Sequence, residues 1–98
     1  MKEGIQMIRK DADEAIEDLT MMLLYLTKFT EKDGGFEMED RSWKGYPFSI
    51  LNKFEDEGLI EQGKHPSRSK SVWIRPEGIE YAQKLLEKYE IGDWKKND

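Results

Sequence analysis

Apolar residues recur at steps of four and three positions between residues 12 and 26, which is the spacing of one face of an α-helix. The members of this face are Ala12, Ile16, Leu19, Leu23 and Leu26. Asp11 followed by Glu14 fits a capping box at the start of the helix. The segment Asp33-Gly34-Gly35 is predicted to end it, because glycine is the commonest residue just past a helix C-terminus. The sequence therefore predicts one long first helix.

A weaker pattern follows, between residues 36 and 46. Residues 36–40 alternate apolar and acidic positions, which predicts a short strand. Residues 41–46, closed by Gly45, predict a single helical turn. Pro47 suits the first position of a further helix. The apolar face of that helix comprises Phe48, Leu51 and Phe54, with Ile50 beside them.

The second half of the chain has the order helix, strand, charged hairpin, strand, helix. Gly58 is predicted to end the preceding helix, and Leu59 and Ile60 to begin the first hairpin strand. Residues 62–71 contain glycine, proline and serine but no apolar residue, which is typical of a turn. Val72 and Ile74 alternate with Trp73 and Arg75, so one face can be buried and the other exposed, which predicts the returning strand.

The last predicted helix begins at Pro76 and continues to about residue 90. Its apolar positions are Ile79, Ala82, Leu85, Leu86 and Tyr89, with Tyr81 to one side. No internal repeat or linker is present, so residues 11–90 form one predicted domain, preceded by an arm (1–10) and followed by a tail (91–98). We expect an α+β fold, winged-helix-like and mostly helical, with a two- or three-stranded β-hairpin as the wing.

The composition gives little support to catalysis. The 98 residues include no cysteine and one histidine, His65, in a predicted loop. No thiolate metal site, glycine-rich phosphate loop or nucleophile elbow is present. We therefore expect a protein without enzymatic activity, cofactor or small-molecule ligand. The longest apolar run, residues 21–26, is too short for a membrane span, and no secretory signal pattern is seen, so a cytoplasmic location is predicted.

Acidic and basic residues are separated along residues 36–75. The net charge is −5, yet residues 62–75 contain four cations and no acid, whereas residues 36–61 contain three cations and seven acids. A basic hairpin on phosphates and a helix in the major groove would suit double-stranded DNA, so a DNA-binding or transcription-regulatory module is the leading predicted function. The candidate nucleic-acid contacts are Lys44, Ser49, Asn52, Lys53, Lys64, Arg68, Lys70 and Arg75.

The alternative is a protein-interaction or dimerisation adaptor that binds no nucleic acid. Residues 21–26 are apolar on every side of the first helix, and such a helix is usually covered on every side. Packing inside the core explains this pattern, and so does a homodimer through the first and last helices. The candidate dimer-interface residues are Met21, Met22, Tyr25, Tyr81, Leu85 and Tyr89.

Four segments carry a resemblance to known proteins: LLYLT (23–27), RSWKG (41–45), FSILNKFEDEGLI (48–60) and KSVWIRPEG (70–78). Together they resemble a family of small bacterial proteins of unknown function with reduced winged helices. More distantly, the second half is similar to the MarR and PadR regulators, in which this pattern marks the wing and the helix after it. The resemblance implies the fold, and it implies no catalytic residue or ligand. The chain departs from those regulators in its acidic predicted recognition helix, so we expect the hairpin to lead any DNA contact.

Overall fold

Three helices and four strands alternate along the chain in a computed structural model, which describes residues 11–33, 36–63 and 70–94. This content confirms the predicted α+β class. In chain order the elements are α1 (Ala12–Leu26), β1 (Phe29–Asp33), β2 (Phe36–Trp43), α2 (Phe48–Asp56), β3 (Ile60–Glu61), β4 (Ser71–Ile74) and α3 (Pro76–Lys88).

The four strands form one antiparallel sheet in the order β1-β2-β4-β3. The sequence predicted a hairpin of two or three strands, whereas the sheet has four. The prediction that the first helix ends at residues 33–35 was wrong. Helix α1 ends at Leu26, where the Thr27 hydroxyl donates a hydrogen bond to the Leu23 carbonyl at 2.6 Å. The next residues form β1 because β2 supplies its hydrogen-bonding partner, a contact that local spacing does not reveal.

The predicted helical turn at residues 41–46 was also wrong. Arg41, Ser42 and Trp43 belong to β2, where they pair with residues of β4 some 30 positions later. The backbone of Asp40 is left-handed, with φ of 60°, and the β1–β2 register shifts nearby. This irregularity breaks the two-residue alternation, so the strand is hard to read from the sequence.

The core lies between the helices and one face of the sheet. Its buried apolar side chains are Met21, Met22, Leu24, Tyr25, Leu51, Phe54, Ile60, Val72, Ile74, Ala82, Leu85 and Leu86. Helices α2 and α3 contribute as predicted through Leu51, Phe54, Ala82, Leu85 and Leu86. Phe48 is a correction, because it is 62% exposed rather than buried with Leu51 and Phe54.

Helix α1 turns a different face to the core from the one that its spacing suggests. Met21, Leu24 and Tyr25 are buried, whereas Ile16, Leu19 and Leu23 of the regular four-and-three pattern are exposed. At 100° per residue the two sets lie on opposite sides of the helix. The most regular apolar stripe of the sequence thus lies outside the core.

The start of α3 depends on a close backbone approach. Gly78 follows Pro76 and Glu77 in the first turn, and a Cβ atom added to it would lie 2.2 Å from the Leu59 carbonyl oxygen. The same carbonyl accepts a hydrogen bond from the Arg75 amide at 2.9 Å. Glycine at position 78 therefore lets the helix begin against the segment that precedes β3.

The chain beyond α3 returns to α1. The Ile91 amide donates to the Leu86 carbonyl, and Asp93 and Trp94, assigned by sequence to a tail, both contact α1. Within the described ranges, no helix combines the length and the apolar character that a bilayer crossing requires.

Candidate interaction surfaces

The first candidate surface is the outer face of α1, which consists of Ile16, Leu19 and Leu23. Their exposed fractions are 45%, 55% and 44%. Three large aliphatic side chains in a continuous row on one helix are unlike the scattered exposed apolar residues of an ordinary surface. Covering this row would be favourable, because it would remove exposed apolar surface from water.

A cavity of about 310 Å³ lies beside this face, between α1 and the end of α3. Tyr89 stands at its wall, with its hydroxyl donating to the Asp18 carboxylate at 2.7 Å. That contact gives the acid a partner and directs the ring into the cavity wall. The lining residues are Ala15, Asp18, Leu19, Met22, Lys88, Tyr89 and Ile91.

The C-terminal segment extends the same apolar surface past the end of α1. The Trp94 indole nitrogen donates to the Leu26 carbonyl at 3.1 Å, and this residue remains 69% exposed. Asp93 is buried, and both of its carboxylate oxygens accept from the Tyr25 hydroxyl. Burial raises the pKa of the Tyr25 hydroxyl above its usual value of 10.0; the Gln83 amide opposes that effect, and the Asp93 carboxylate adds to it.

The predicted dimer-interface residues divide into two groups. Met21, Met22, Tyr25 and Leu85 are buried within the chain itself, so they have no area left to offer a second copy. Tyr81 and Tyr89 are exposed. The residues that are exposed on α1 were visible in the sequence as a four-and-three repeat, the spacing of a coiled-coil seam. In the sequence, the exposed apolar residues of α1 are marked by that spacing and not by the all-round apolar run of residues 21–26.

Helix α2 carries three of the candidate nucleic-acid contacts, Ser49, Asn52 and Lys53, and two of these side chains already bind other residues of the chain. The Lys53 ammonium lies 2.9 and 3.0 Å from the two carboxylate oxygens of Glu17, and this hydrogen bond raises the pKa of Lys53. The Asn52 side-chain oxygen accepts from the Gln62 amide at 2.9 Å. Ser49 is exposed. The outward side of α2 is therefore partly occupied by contacts to α1 and to the end of β3.

The hairpin cations are only partly described. Lys64 and Arg68 lie outside the described residues. Lys70 is exposed at the start of β4. Arg75 forms salt bridges with Glu61 and Glu77, and its guanidinium lies 5.7 Å from the centre of the Trp73 ring.

Lys44 lies on the segment between β2 and α2, apart from the hairpin. Its ammonium lies 5.5 Å from the centre of the exposed Phe48 ring, a cation–π distance. Three of the candidate cations, Lys44, Lys53 and Arg75, therefore already interact with a carboxylate or an aromatic ring of the chain itself.

The sheet face that the helices leave uncovered is mixed in charge. Phe29, Arg41, Trp73 and Glu61 lie in register across the four strands and so share this face. The Phe29 and Trp43 rings lie 4.6 Å apart, and Arg41 donates to the Ser71 hydroxyl and carbonyl. A cavity of about 420 Å³ on this side includes the acids Glu37, Glu39 and Glu61 in its lining.

The chain as a whole is acidic. Its 98 residues contain 21 acids and 16 bases, a net charge of −5, which disfavours non-specific attraction to nucleic acid. Among residues 11–33, 36–63 and 70–94, no group of three or more histidine, aspartate or glutamate side chains is arranged to hold a metal ion.

Comparison with known proteins gives a family and no function. Searches among curated proteins and among solved structures found no match. A family model with the description "Domain of unknown function (DUF6429)" matches residues 12–92, which span every helix and strand from α1 to α3. The match confirms the expectation of an uncharacterised family. The chain therefore belongs to the family described as Domain of unknown function (DUF6429).

Proposed function

We propose that the chain is a protein-interaction module without enzymatic activity, and that it binds an amphipathic helix of a partner on the outer face of α1. The observation that carries the proposal is the exposure of Ile16, Leu19 and Leu23 on the side of α1 away from the core. These positions keep a strict four-and-three spacing, which matches the seam along which two helices pack side by side. A partner helix with the same spacing is the occupant that this geometry favours.

The surroundings of this face support the same function. The cavity between α1 and the end of α3 offers a hole for an apolar side chain, beside Leu19. Exposed Ile91 and Trp94 continue the apolar surface along the C-terminal segment. Acidic residues of the first turns of α1 flank the row, as in a polar rim around an apolar centre.

DNA binding, the leading prediction from the sequence, has less support than the alternative. The net charge of −5 opposes it, and Lys53 and Arg75 are already paired with carboxylates. The order α2, β3, β4, α3 still favours the interpretation of the second half as a winged helix. On that interpretation the fold serves protein binding.

Site-specific photo-crosslinking in living cells tests the proposal. A photoreactive amino acid is placed at Leu19, and a matched variant carries it at Ser49, which is exposed on α2. We expect a covalent product with a protein at Leu19 and none at Ser49. The Leu19 product is expected to disappear when Leu23→Glu is added, because a charge in the row opposes apolar packing. Equal products at both positions, or none at Leu19, would refute a specific surface on α1.

A further inference from the structure

We infer that the helix bound on the outer face of α1 is α1 of a second copy of this chain, packed antiparallel, so that the molecule is a symmetric homodimer. This inference rests on the proposed function, because it names the partner of the same surface. A two-fold dimer requires a surface that is complementary to itself. The face of α1 meets that requirement through its spacing, its charge distribution and its area.

The spacing is symmetric about Leu19. Helix α1 runs from Ala12 to Leu26, and Leu19 is its midpoint. When two copies cross antiparallel at this residue, Leu19 meets Leu19 of the partner subunit on the two-fold axis. Ile16 then lies within one residue of Leu23 of the partner subunit. Every large apolar position of the face is covered in this arrangement.

The charges select the antiparallel direction. The beginning of α1 carries Asp11, Asp13, Glu14, Glu17 and Asp18, and residues 19–27 carry no charge. A parallel pair would bring Asp11, Asp13 and Glu14 of one copy close to the same three residues of the other, and these like charges repel each other. Glu17 and Asp18 already contact Lys53 and Tyr89. An antiparallel pair places each acidic half beside the uncharged half of the other helix. It also sets the two helix dipoles in opposite directions, which is favourable.

The cavity lies between α1 and the end of α3, beside the point where the dimer axis would pass. It is bounded along α1 by Ala15, Asp18, Leu19 and Met22, so it is at the level of the helix midpoint. Leu19 of the partner subunit arrives at this level and would fill it as a knob fills a hole. Tyr89 and Ile91 form the far wall. The contact made by Leu19 of the partner subunit would thus account both for the open cavity of about 310 Å³ and for the exposed Leu19 beside it.

The available area is close to what a dimer needs. The members of the continuous surface, with exposed fractions from 38% to 69%, are Ile16, Leu19, Leu23, Tyr89, Ile91 and Trp94. On side chains of this size these fractions amount to about 600 Å², the upper end of the range for the largest apolar patch of a monomer. A standard interface buries about 800 Å² on each partner, rim included. The polar rim of α1 supplies the difference.

Single-cysteine crosslinking tests the arrangement without background, because the native chain has no cysteine. Under mild oxidation we expect Leu19→Cys to form a disulfide-linked dimer. Neither Ile16→Cys nor Leu23→Cys is expected to do so alone, whereas their equimolar mixture is expected to form the mixed dimer. Ser49→Cys is the control for random collision. Self-crosslinking of Ile16→Cys and Leu23→Cys would show a parallel pair and overturn the inference.

The mass in solution tests the second copy itself. Analytical ultracentrifugation of the full chain is expected to give twice the chain mass of 11.6 kDa. Leu19→Glu is expected to raise the dimer dissociation constant by about 30-fold or more, the effect of losing a hot-spot residue. Leu23→Glu is the second variant if Leu19→Glu fails to fold, as judged by circular dichroism.

The outcomes separate this inference from the proposed function. If the chain sediments as a monomer at every concentration, the inference of a second copy is overturned. In that case, photo-crosslinking from Leu19 to a different protein would leave the proposed function standing. Crosslinking from Leu19 only to the chain's own residues 1–10 would overturn both, since the surface would then be covered within one molecule.

Discussion

The Tyr25 hydroxyl lies 2.9 and 3.0 Å from the two carboxylate oxygens of Asp93, which is 68 positions later in the chain. Asp93 is only 2% exposed, and the Gln83 amide donates to the same hydroxyl at 3.2 Å. This contact joins the C-terminal segment to the last turn of α1, and Gln83 adds α3 to it. It also positions Trp94 at the end of α1, beside the outer face. The segment after α3 is therefore part of the folded unit.

Removing the Tyr25 hydroxyl tests this connection. Tyr25→Phe keeps the buried ring but takes away the donor that Asp93 binds, so we expect it to lower the free energy of unfolding by about 1.5–3 kcal/mol. Urea denaturation measures the change. Asp93→Asn removes the other side of the contact. The double variant is expected to lose less unfolding free energy than the sum of the losses in the two single variants. Strictly additive losses would mean that the two side chains do not depend on each other.

The same hydroxyl predicts a loss of stability at alkaline pH. The folded-state pKa of Tyr25 is raised above 10.0, mainly by burial, so the folded state holds this proton more tightly than the unfolded state. Its contribution to stability is complete below pH 10.0 and is lost as the pH rises through the folded-state pKa.

Thermal melts between pH 9 and pH 11 measure this effect, with Tyr25→Phe as the control that lacks the group. About 0.5 M salt screens the exposed Lys53–Glu17 pair, whose raised lysine pKa acts in the same range. An identical pH dependence in both proteins would rule out Tyr25 as its source.

The starts of α1 and α3 and the buried face of α3 were predictable because their signals are local. Asp11 caps α1, Pro76 begins α3, and Leu85 and Leu86 follow Ala82 at helical spacing. The end of α1 and its buried face depend on distant contacts and were not predicted. Strand β1 was not predictable, since its residues need β2 as a partner. The first part of β2 was predicted as a short strand over residues 36–40, but the left-handed Asp40 interrupts the alternation before residues 41–43. Long-range pairing and one irregular residue account for the missing strand β1 and for the missing end of β2.

The candidate site shows a different limit. The stripe through Ile16, Leu19 and Leu23 is visible in the sequence. Periodicity shows only that these residues share a face, and it does not show what covers that face. Both sides of α1 are apolar around Met22, so the sequence offers two possible core faces. The packing of Met21, Leu24 and Tyr25 against the sheet and α3 decides between them.

Gly78→Ala tests the close approach at the start of α3. The added methyl group would lie 2.2 Å from the Leu59 carbonyl oxygen and 3.0 Å from Ile74 Cγ2. We expect a loss of about 1–3 kcal/mol in unfolding free energy, because the strain outweighs the better helix propensity of alanine. Gly45→Ala is the control, since no atom lies within 4 Å of its added Cβ. Equal stability of the two variants in urea would contradict the proposed strain.

Duplex DNA provides a test of the weaker functional hypothesis. At low salt, near 50 mM, we expect no binding to random duplex in a fluorescence-anisotropy titration, because the net charge of the chain is −5. The double variant Arg68→Glu with Lys70→Glu is expected to behave like the native chain. Binding that weakens with salt and is lost in this variant would instead assign the hairpin to nucleic acid.

The two faces of α1 predict opposite kinds of stability change. Leu24→Ala empties a fully buried core position and is expected to cost about 2–5 kcal/mol at any protein concentration. Leu19→Ala removes no core contact, so its cost is expected to appear only where the homodimer is populated and to vanish on dilution. Thermal melts of both variants and the native chain over a hundredfold concentration range measure the difference. A concentration-independent loss from Leu19→Ala, as large as that from Leu24→Ala, would place Leu19 in the core and remove the basis for an interaction surface on α1.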